Sequence, residues 1–255
     1  MNEQTRALAE ALVAARREQE TLLAADWQSA LADAVAAYAV QASAADAFGW
    51  CPDGVARNWK SGGPSRDIEL THAPLPPEGV MTSPADFSSW SFHAPFVEAE
   101  IALRLGRDVT PEAAAQLDPA NAAEWVDAMC VSIEIVDSRW AEGAQAPALL
   151  RLADLQSHGA LALGNWLSYA PRDWATQQCE VRIGQQAPQV FTGTYSLGDP
   201  TWLLPVWLRH ATRAGATVPS GTVVTTGSWV GMLPAQKGDA VSVRFEGIGE
   251  ARLQL

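Results

Sequence analysis

The chain has 255 residues, of which 48% are apolar, and its formal net charge is −12. This length suits one large domain, or one domain with a smaller appendage. The negative charge argues against nucleic acid or an anionic membrane as partner. It does not by itself indicate a cationic partner, because an acidic surface is a common route to solubility.

The cysteines and the N-terminal segment bear on the cellular compartment. Cys51, Cys130 and Cys179 are far apart and form no C-x-x-C pair, so neither a zinc ribbon nor a disulfide framework is indicated. The first residues open a charged amphipathic helix rather than a signal peptide, and no apolar run reaches the ~18 residues of a membrane span. We therefore expect a cytoplasmic protein.

Hydrophobic periodicity and turn residues predict the order of the elements. In chain order we expect helices over 2–24 and 27–47, a short strand that breaks into a glycine loop within 56–65, an irregular proline-rich connector at 72–80, a strand at 96–107, a helix at 111–129, a strand at 130–139, a loop entering an apolar strand within 150–170, a hairpin at 178–195, a helix at 200–214, a strand at 223–231 and a closing hairpin over 240–255. Many strands, few helices and no regular alternation predict an α+β fold.

The strand at 96–107 carries two carboxylates on one face. Its alternation puts Val97, Ile101 and their apolar neighbours behind, and Glu98 and Glu100 in front. Two like charges about 7 Å apart on one strand repel each other, and neither is buried cheaply without a cation. The stretch therefore calls for a metal, a basic partner or bulk water.

A third carboxylate, Glu134, lies between two isoleucines on the strand at 130–139. If the two strands are neighbours, the three oxygen ligands suit Mg²⁺ or Mn²⁺. Pairing with an arginine or exposure to solvent is the alternative for Glu134. Glycosidase chemistry is a weaker alternative for Glu98 and Glu100, since two residues on one strand flank a scissile bond awkwardly.

Lys60 and the histidines are the remaining candidates for proton transfer. Lys60 lies between a tryptophan and a Gly-Gly turn, where it is either solvated or presented into a cleft that would lower its pKa. The four histidines show no ligand spacing and favour structural or surface roles, with His93 and His158 as the better exceptions. The sequence has no G-x-S-x-G, no H-E-x-x-H and no phosphate-binding glycine loop.

Several segments together resemble the fumarylacetoacetate hydrolase superfamily, in its 2-oxopent-4-enoate hydratase and 4-oxalocrotonate decarboxylase branch. The Glu-x-Glu strand and the Glu-Ile-Val-Asp-Ser-Arg strand are the specific pieces. The matching pieces, in the family's order, are Ala-Tyr-Ala-Val-Gln (37–41), Trp-Lys-Ser-Gly (59–62), Val-Glu-Ala-Glu-Ile-Ala-Leu-Arg-Leu-Gly-Arg-Asp (97–108), Ile-Glu-Ile-Val-Asp-Ser-Arg (133–139), Ala-Asp-Leu-Gln-Ser-His-Gly-Ala-Leu-Ala-Leu-Gly (153–164), Thr-Gly-Ser (226–228) and the ending from Lys237 to Gly249.

The resemblance implies a mixed β-roll with a small N-terminal helical or α+β region, which we divide into residues 1–82 and a catalytic domain at 83–255. It implies a divalent metal, Mg²⁺ or Mn²⁺, held by Glu98, Glu100 and Glu134. That metal would chelate the carboxylate and the 2-oxygen of a 2-oxo or 2-hydroxydienoate acid. Homo-oligomers are usual in the family.

The resemblance also implies roles for residues outside the glutamate cluster. Lys60 matches the family's active-site lysine, and Glu78 and His158 are the further catalytic candidates. We expect substrate contacts from five polar residues: Ser61, Gln156, Ser157, Thr226 and Ser228.

The chain departs from the family pattern in three places. Glu78 stands where many hydratases carry an aspartate in a differently built loop, Leu-Gln-Ser-His replaces Asn and small residues at 155–158, and Gly-Asp-Pro replaces Gly-His-Pro at 198–200. Trp59, Trp229 and other tryptophans beside Gly, Pro or Ser indicate either core packing or an aromatic pocket wall.

The leading hypothesis is a metal-dependent hydratase of 2-hydroxydienoate or related 2-oxo acids from aromatic catabolism. A second reading is C–C hydrolysis or decarboxylation of acylpyruvate- or oxalocrotonate-type acids, with His158 or His93 as the base that activates water. A third is a non-catalytic subunit that binds a partner decarboxylase. We expect no nucleic-acid or membrane partner in any of the three cases.

Overall fold

The computed structural model describes residues 1–51 and 54–255, and two β-sheets with five α-helices make up the fold of these residues. The helices are α1 Glu3–Glu18, α2 Ala34–Phe48, α3 Pro111–Gln116, α4 Ala148–Ala153 and α5 Leu204–Ala211. The strands are β1 Asn58–Gly62, β2 Thr71–Pro74, β3 Val80–Thr82, β4 Ala85–Asp86, β5 Phe96–Leu105, β6 Val126–Val136, β7 His158–Leu163, β8 Leu167–Ser168, β9 Gln178–Ile183, β10 Gln189–Thr192, β11 Val223–Thr225, β12 Leu233–Pro234, β13 Ala240–Phe245 and β14 Gly249–Gln254.

The larger sheet has the order β2-β1-β11-β5-β6-β7-β3, with β12 also paired to β5 and β8 to β6. The smaller sheet has the order β10-β9-β13-β14-β4. Apolar side chains of β5 and β6, such as Ile101 and Ile133, share one buried cluster with Val181, Val243 and Leu253 of the smaller sheet. The core of the protein therefore lies between the two sheets, which leaves the other face of β5 and β6 free for polar groups.

The N-terminal helices pack at one end of the large sheet. Leu8 and Val40 form a second buried cluster with Trp140 and Leu150, so α1 and α2 lie against α4 and the segment before it. Strands from before residue 82 join the large sheet, as β1 pairs with β11 and β3 with β7. The division at residues 1–82 and 83–255 stays a prediction.

The α+β class and the mixed sheets agree with the sequence-based expectation. The strand predicted at 96–107 is confirmed with bounds of Phe96–Leu105. The helix expected at 111–129 is wrong beyond Gln116. Pro119 disfavours the helical conformation at Asp118, so the chain turns there and enters β6 at Val126.

The proline-rich stretch at 72–80 is more regular than expected. Residues Thr71–Pro74 form β2, which pairs with β1 alone and is an edge strand of the large sheet. An edge strand tolerates proline because the missing N–H faces away from the ladder. The Gly/Pro/Ser-rich stretch begins near residue 49, and its residues 52 and 53 lie outside the described residues.

Three further elements are shorter than the periodicity predicts. The first helix ends at Glu18 because Gln19 takes the left-handed conformation, with φ 56°. The second begins at Ala34, where the Asp33 side chain accepts a hydrogen bond from the Ala36 N–H and caps it. The strand at 223 ends at Thr225. Across the described ranges, no helix has the length and apolar character needed to cross a membrane.

The core between the sheets predicts a large difference between two chemically identical substitutions. Val131 on β6 is 1% exposed and Val190 on β10 is 60% exposed. Val131→Ala removes two methylene equivalents of buried surface and leaves a cavity, so it should lower the free energy of unfolding by about 2–3 kcal/mol. Val190→Ala should change it by less than about 0.5 kcal/mol. Urea denaturation measures both; equal losses would contradict a core between the sheets.

Candidate active site

The pairing of β5 with β6 brings three glutamates together. Glu98 lies directly opposite Glu134, and Glu100 lies opposite Ser132 on the same face. Because both strands are covered on both sides, Glu100 is 1% exposed and Glu134 is fully buried. One carboxylate oxygen from each of the three glutamates lies within 4.8 Å of the others. The structure therefore brings together the three carboxylates whose clustering the sequence analysis made conditional on the two strands being neighbours.

Glu100 is held by donors from the segment that follows β11. The Thr225 hydroxyl and the Gly227 N–H, the latter at 3.0 Å, both donate to its Oε2 atom. The Ser132 hydroxyl lies 2.8 Å from the Thr225 hydroxyl and completes a small polar network. These contacts fix one carboxylate oxygen and leave the other for the centre of the cluster.

Glu134 has two cationic or polar partners on its Oε1 atom. The Lys60 ammonium donates to it over 2.6 Å, and the His158 Nδ1 atom lies 2.8 Å from it. Its Oε2 atom is buried and has no hydrogen-bond partner in the described residues, and the same holds for Nε2 of His158. A buried carboxylate oxygen without a donor is costly, so it is a candidate metal ligand.

The charges of the cluster shift the pKa values in opposite directions. Burial, together with the nearby carboxylates, raises the pKa of Glu98 to about 8 and that of Glu100 to about 7. Burial would also raise the pKa of Glu134, but the Lys60 ammonium and the His158 contact outweigh it and lower that pKa. The proton that the cluster holds at neutral pH therefore sits on the pair from β5.

The pKa of Lys60 moves in the direction opposite to the one that desolvation alone predicts. Burial lowers it, but the carboxylates of Glu134, Glu98 and Glu100 outweigh the burial and raise it above 10.5. The sequence left Lys60 either solvated or presented into a cleft with a lowered pKa, and the structure places it in the cleft. The lowered pKa is wrong, because that alternative considered the cleft without the acids that surround the lysine. In the metal-free protein, Lys60 is an ammonium ion.

A cavity of about 500 Å³ opens over the cluster. Lys60, Glu98 and Glu100 line it at one end. It adjoins a second compartment of about 320 Å³, which is lined mainly by apolar residues such as Trp140. The two compartments share four lining residues: Val136, Arg151, Gln156 and Met232. Together they form one cleft with an acidic end and an apolar end.

The five residues expected to contact substrate are distributed unequally. Gln156 and Ser228 line the first compartment, and Ser157 lines the second. Thr226 lines neither, and its hydroxyl donates to the Ile101 carbonyl. Ser61 borders the first compartment, but its hydroxyl lies 2.9 Å from Nδ1 of His72. The alternation of β1 turns the Ser61 side chain away from the Lys60 side.

Glu78 is not a neighbour of Lys60 in the structure. It is exposed, and its carboxylate accepts a hydrogen bond from the Trp50 indole N–H over 3.3 Å. It lines a separate cavity of about 160 Å³ together with Arg16 and Trp90. The carboxylate that pairs with Lys60 is that of Glu134. Trp59 and Trp229 are buried in the main core and line neither compartment of the cleft, so they are core residues rather than a pocket wall.

A strained turn shapes the cleft between α4 and β7. Leu155, Gln156 and Ser157 have φ values of 51°, 54° and 59°, a left-handed run without glycine. Such residues cost of order 1–3 kcal/mol each and persist where the surroundings hold them. The turn directs the Gln156 carbonyl to within 3.4 Å of Lys60 Nζ. Sequence analysis missed this geometry and the place of Arg151 in the cleft, since no local pattern distinguishes them.

Comparison with known proteins gives the same picture at the level of family and fold. A family model described as "Fumarylacetoacetate (FAA) hydrolase C-terminal" matches residues 47–255. A 2-keto-4-pentenoate hydratase 2 from Dechloromonas aromatica is 33% identical over 157 residues, which are 61% of this chain and 58% of that protein. A 2-keto-4-pentenoate hydratase from Paraburkholderia xenovorans is 30% identical over 64% of this chain and 59% of its own.

The similarity to a solved structure extends over the whole chain. A 4-oxalocrotonate decarboxylase from Pseudomonas putida G7, solved with magnesium and adipate, has a TM-score of 0.84 at 20% identity. The match covers 100% of this chain and 98% of that one. The chain thus has that fold, while the matched segments span less than two thirds of the length of the curated relatives named above.

The raised pKa values predict how the metal-free protein responds to pH. The pKa values of Glu98, about 8, and of Glu100, about 7, exceed the ordinary value of 4.5, so ionising these groups costs free energy only in the folded state. In EDTA, the free energy of unfolding should therefore fall by about 2 kcal/mol between pH 6.5 and 8.5. His72 and His210 oppose this fall, because burial lowers their pKa values to about 3 and about 2 in the folded protein while the unfolded chain still binds protons there near pH 6.5. Each adds about 0.4 kcal/mol of stability over the same range, and the net fall of about 2 kcal/mol includes that contribution.

Urea denaturation at the two pH values measures this slope. Glu98→Gln should reduce the change in the free energy of unfolding between the two pH values, because the variant lacks the carboxyl group with the higher pKa of the two. Glu180→Gln changes an exposed glutamate on β9 and should keep the slope. If Glu98→Gln and the unchanged protein lose the same free energy of unfolding between the two pH values, the glutamate cluster is not the cause of the pH dependence.

Proposed function

Since the chain belongs to the fumarylacetoacetate hydrolase family, we propose that it is a divalent-metal-dependent hydratase of 2-hydroxydienoate or related 2-oxo acids in aromatic catabolism. The observation that carries the proposal is the convergence of Glu98, Glu100, Glu134 and Lys60 on one cavity. The hydratase names of the relatives support the reaction class. The substrate is part of the proposal, because the matched segments span less than two thirds of the length of those relatives.

The residues fit a hard divalent cation, Mg²⁺ or Mn²⁺. The three carboxylates offer oxygen ligands, and Glu134 Oε2 is buried without a donor. Glu98, Glu100 and Glu134 would hold the ion. When bound, it supplies Lewis acidity that polarises the 2-oxygen of the substrate and anchors the substrate carboxylate. The magnesium in the decarboxylase structure supports the same assignment.

Lys60 is the chain's own proton carrier in this proposal. Its ammonium group borders the cavity and is held between the Glu134 carboxylate and the Gln156 carbonyl. There it can stabilise the developing enolate and deliver a proton to the terminal carbon C5 of the dienol, and the neutral amine so formed takes up the 2-hydroxyl proton, which restores the ammonium group. The product of that step is the unsaturated ketone, to which water adds at C4 while C3 takes up a proton.

His158 orients Glu134 in this arrangement. Burial lowers the pKa of His158, even though Glu134 raises it, so the imidazole is neutral and donates from Nδ1. Its catalytic role, and that of Glu78, stay predictions, as do the cytoplasmic setting and the homo-oligomer. Decarboxylation of an oxalocrotonate-type acid is the second candidate, and the full-length fold match to a 4-oxalocrotonate decarboxylase favours it.

Loss of 2-hydroxypenta-2,4-dienoate in the presence of Mg²⁺ tests the proposed reaction. Lys60→Met should lower kcat at least 100-fold, because proton transfer and electrostatic stabilisation both depend on the ammonium group. Lys237→Met, on the turn before β13, is the control and should keep full activity. Carbon dioxide release from 2-oxohex-3-enedioate, without any hydration of the dienoate, would establish the decarboxylase instead.

Metal binding tests the ligand set without an activity assay. Thr225→Val keeps the side-chain shape but removes the hydroxyl that donates to Glu100, so the carboxylate loses one of its two fixed contacts. We expect Mn²⁺ to bind 10–100-fold more weakly by calorimetry, as is typical when a ligand's supporting hydrogen bond is lost. Thr192→Val changes an exposed threonine on β10 and is the matched control. Equal affinities in the two variants would refute the role of Thr225.

A further inference from the structure

Arg151 lies where the two compartments of the cleft meet. It is in the last turn of α4, half-buried, and lines both compartments. Its Nε atom donates to the Ala146 carbonyl over 3.0 Å. Among the residues that the structure describes, no carboxylate lies within ion-pair distance of its guanidinium group. The terminal nitrogens of this arginine are therefore available to bind a group in the cleft.

Other cations near the cleft are paired. Lys60 contacts Glu134 over 2.6 Å, and Arg139 contacts Asp154 over 2.5 Å. Arg151 differs from both, although the chain has an excess of acidic residues and a net charge of −12. A guanidinium group presents a planar fork of donors that matches a carboxylate bidentately. An unpaired arginine in a partly desolvated cleft is thus a site for an anionic group.

The position of Arg151 identifies which part of the substrate it meets. Glu98, Glu100 and Lys60 line the first compartment only, and in the proposed function they receive the chelating end of the 2-oxo acid. Arg151 lies at the passage to the second compartment, where the carbon chain leaves the acidic end. Polar groups of Ser138 and other residues also line that compartment, so its surface is not purely apolar.

We propose that Arg151 determines specificity by pairing with an acidic group at the far end of the substrate. The site then prefers a 2-oxo or 2-hydroxydienoate acid with a second carboxylate over one that ends in a methyl group. This inference rests on the proposed function, since it takes the chelating end of the acid to lie at the glutamate cluster.

The surroundings hold Arg151 ready for this contact. Its helix packs against α2, and Leu150 beside it is buried in the cluster with Trp140 and Val40. The Nε bond to Ala146 fixes the plane of the guanidinium group from one side. Because the backbone and part of the side chain are already ordered, little conformational entropy is lost when an anion binds.

A pair of six-carbon ligands tests the inference by calorimetry on the Mg²⁺-loaded protein. 2-Oxoadipate and 2-oxohexanoate share the chelating end and the chain length, and differ in the terminal carboxylate. We expect 2-oxoadipate to bind at least 10-fold more tightly to the unchanged protein. Arg151→Met should remove this preference and change the affinity for 2-oxohexanoate by less than about twofold, since the methionine side chain fills similar space.

Controls separate this role from a loss of fold or of net charge. Arg252→Met removes an arginine that pairs with Glu250 on the exposed side of β14, and it should keep the full preference. Arg151→Lys keeps the charge without the fork and should keep a reduced preference, so it carries the test if Arg151→Met does not fold.

Oxalate distinguishes the failure of the inference from that of the proposed function. Oxalate has the chelating end alone, so it should bind the unchanged protein and Arg151→Met equally. If oxalate binds but the unchanged protein does not discriminate between the two six-carbon acids, the inference alone is overturned. Equal weakening of all three ligands in Arg151→Met would place Arg151 at the chelating end and overturn it as well. If oxalate does not bind the Mg²⁺-loaded protein, the proposed function fails and the inference fails with it.

Discussion

Three carboxylates within 4.8 Å of one another, faced by a single lysine, are the constraint on which the rest of the site depends. Like charges at this distance in a buried place cannot all ionise without compensation. The chain supplies part of it through the Lys60 ammonium, the Gly227 N–H and the hydroxyl of Thr225. The remaining imbalance holds a proton on the β5 pair in the metal-free protein and leaves room for a divalent ion to replace it.

The sheet makes this arrangement possible because its register is strongly specified. Glu98 and Glu134 are direct cross-strand neighbours, and the residues that alternate with them, such as Ile101 and Ile133, are fully buried between the sheets. A slip of one residue would move the glutamates into the apolar core and the isoleucines out of it. Burial of the apolar side chains thus fixes the register of the strands. The strands in turn hold the carboxylates close together, although the repulsion between their charges opposes this.

Alternation along one strand is local, and for that reason the sequence predicts the faces of β5 and β6. The gathering of their glutamates depends on the pairing of the two strands, which the family resemblance implied and the alternation alone did not. Properties that depend on distant neighbours are beyond it. The direction of the Lys60 pKa shift depends on how many carboxylates surround the ammonium, and the separation of Glu78 from Lys60 depends on where the loop after β2 packs. Thr226 carries a suitable hydroxyl in a matching motif, but that hydroxyl is used on a backbone carbonyl.

The two ends of the cleft are built by different elements of the chain. The residues proposed to carry out the reaction lie at one end, and the residue proposed to select the substrate lies toward the other. The glutamates and Lys60 stand on strands of the large sheet, within the part that the family model matches. Arg151 also lies within that part, but its helix α4 packs against α2, and most of α2 precedes residue 47, where the match begins. A change in the helical layer can therefore alter the groups around the substrate's far end while the sheet keeps the acidic end unchanged. Under the role proposed for Arg151, selection among acids of one reactive type is a property of helix packing rather than of the sheet.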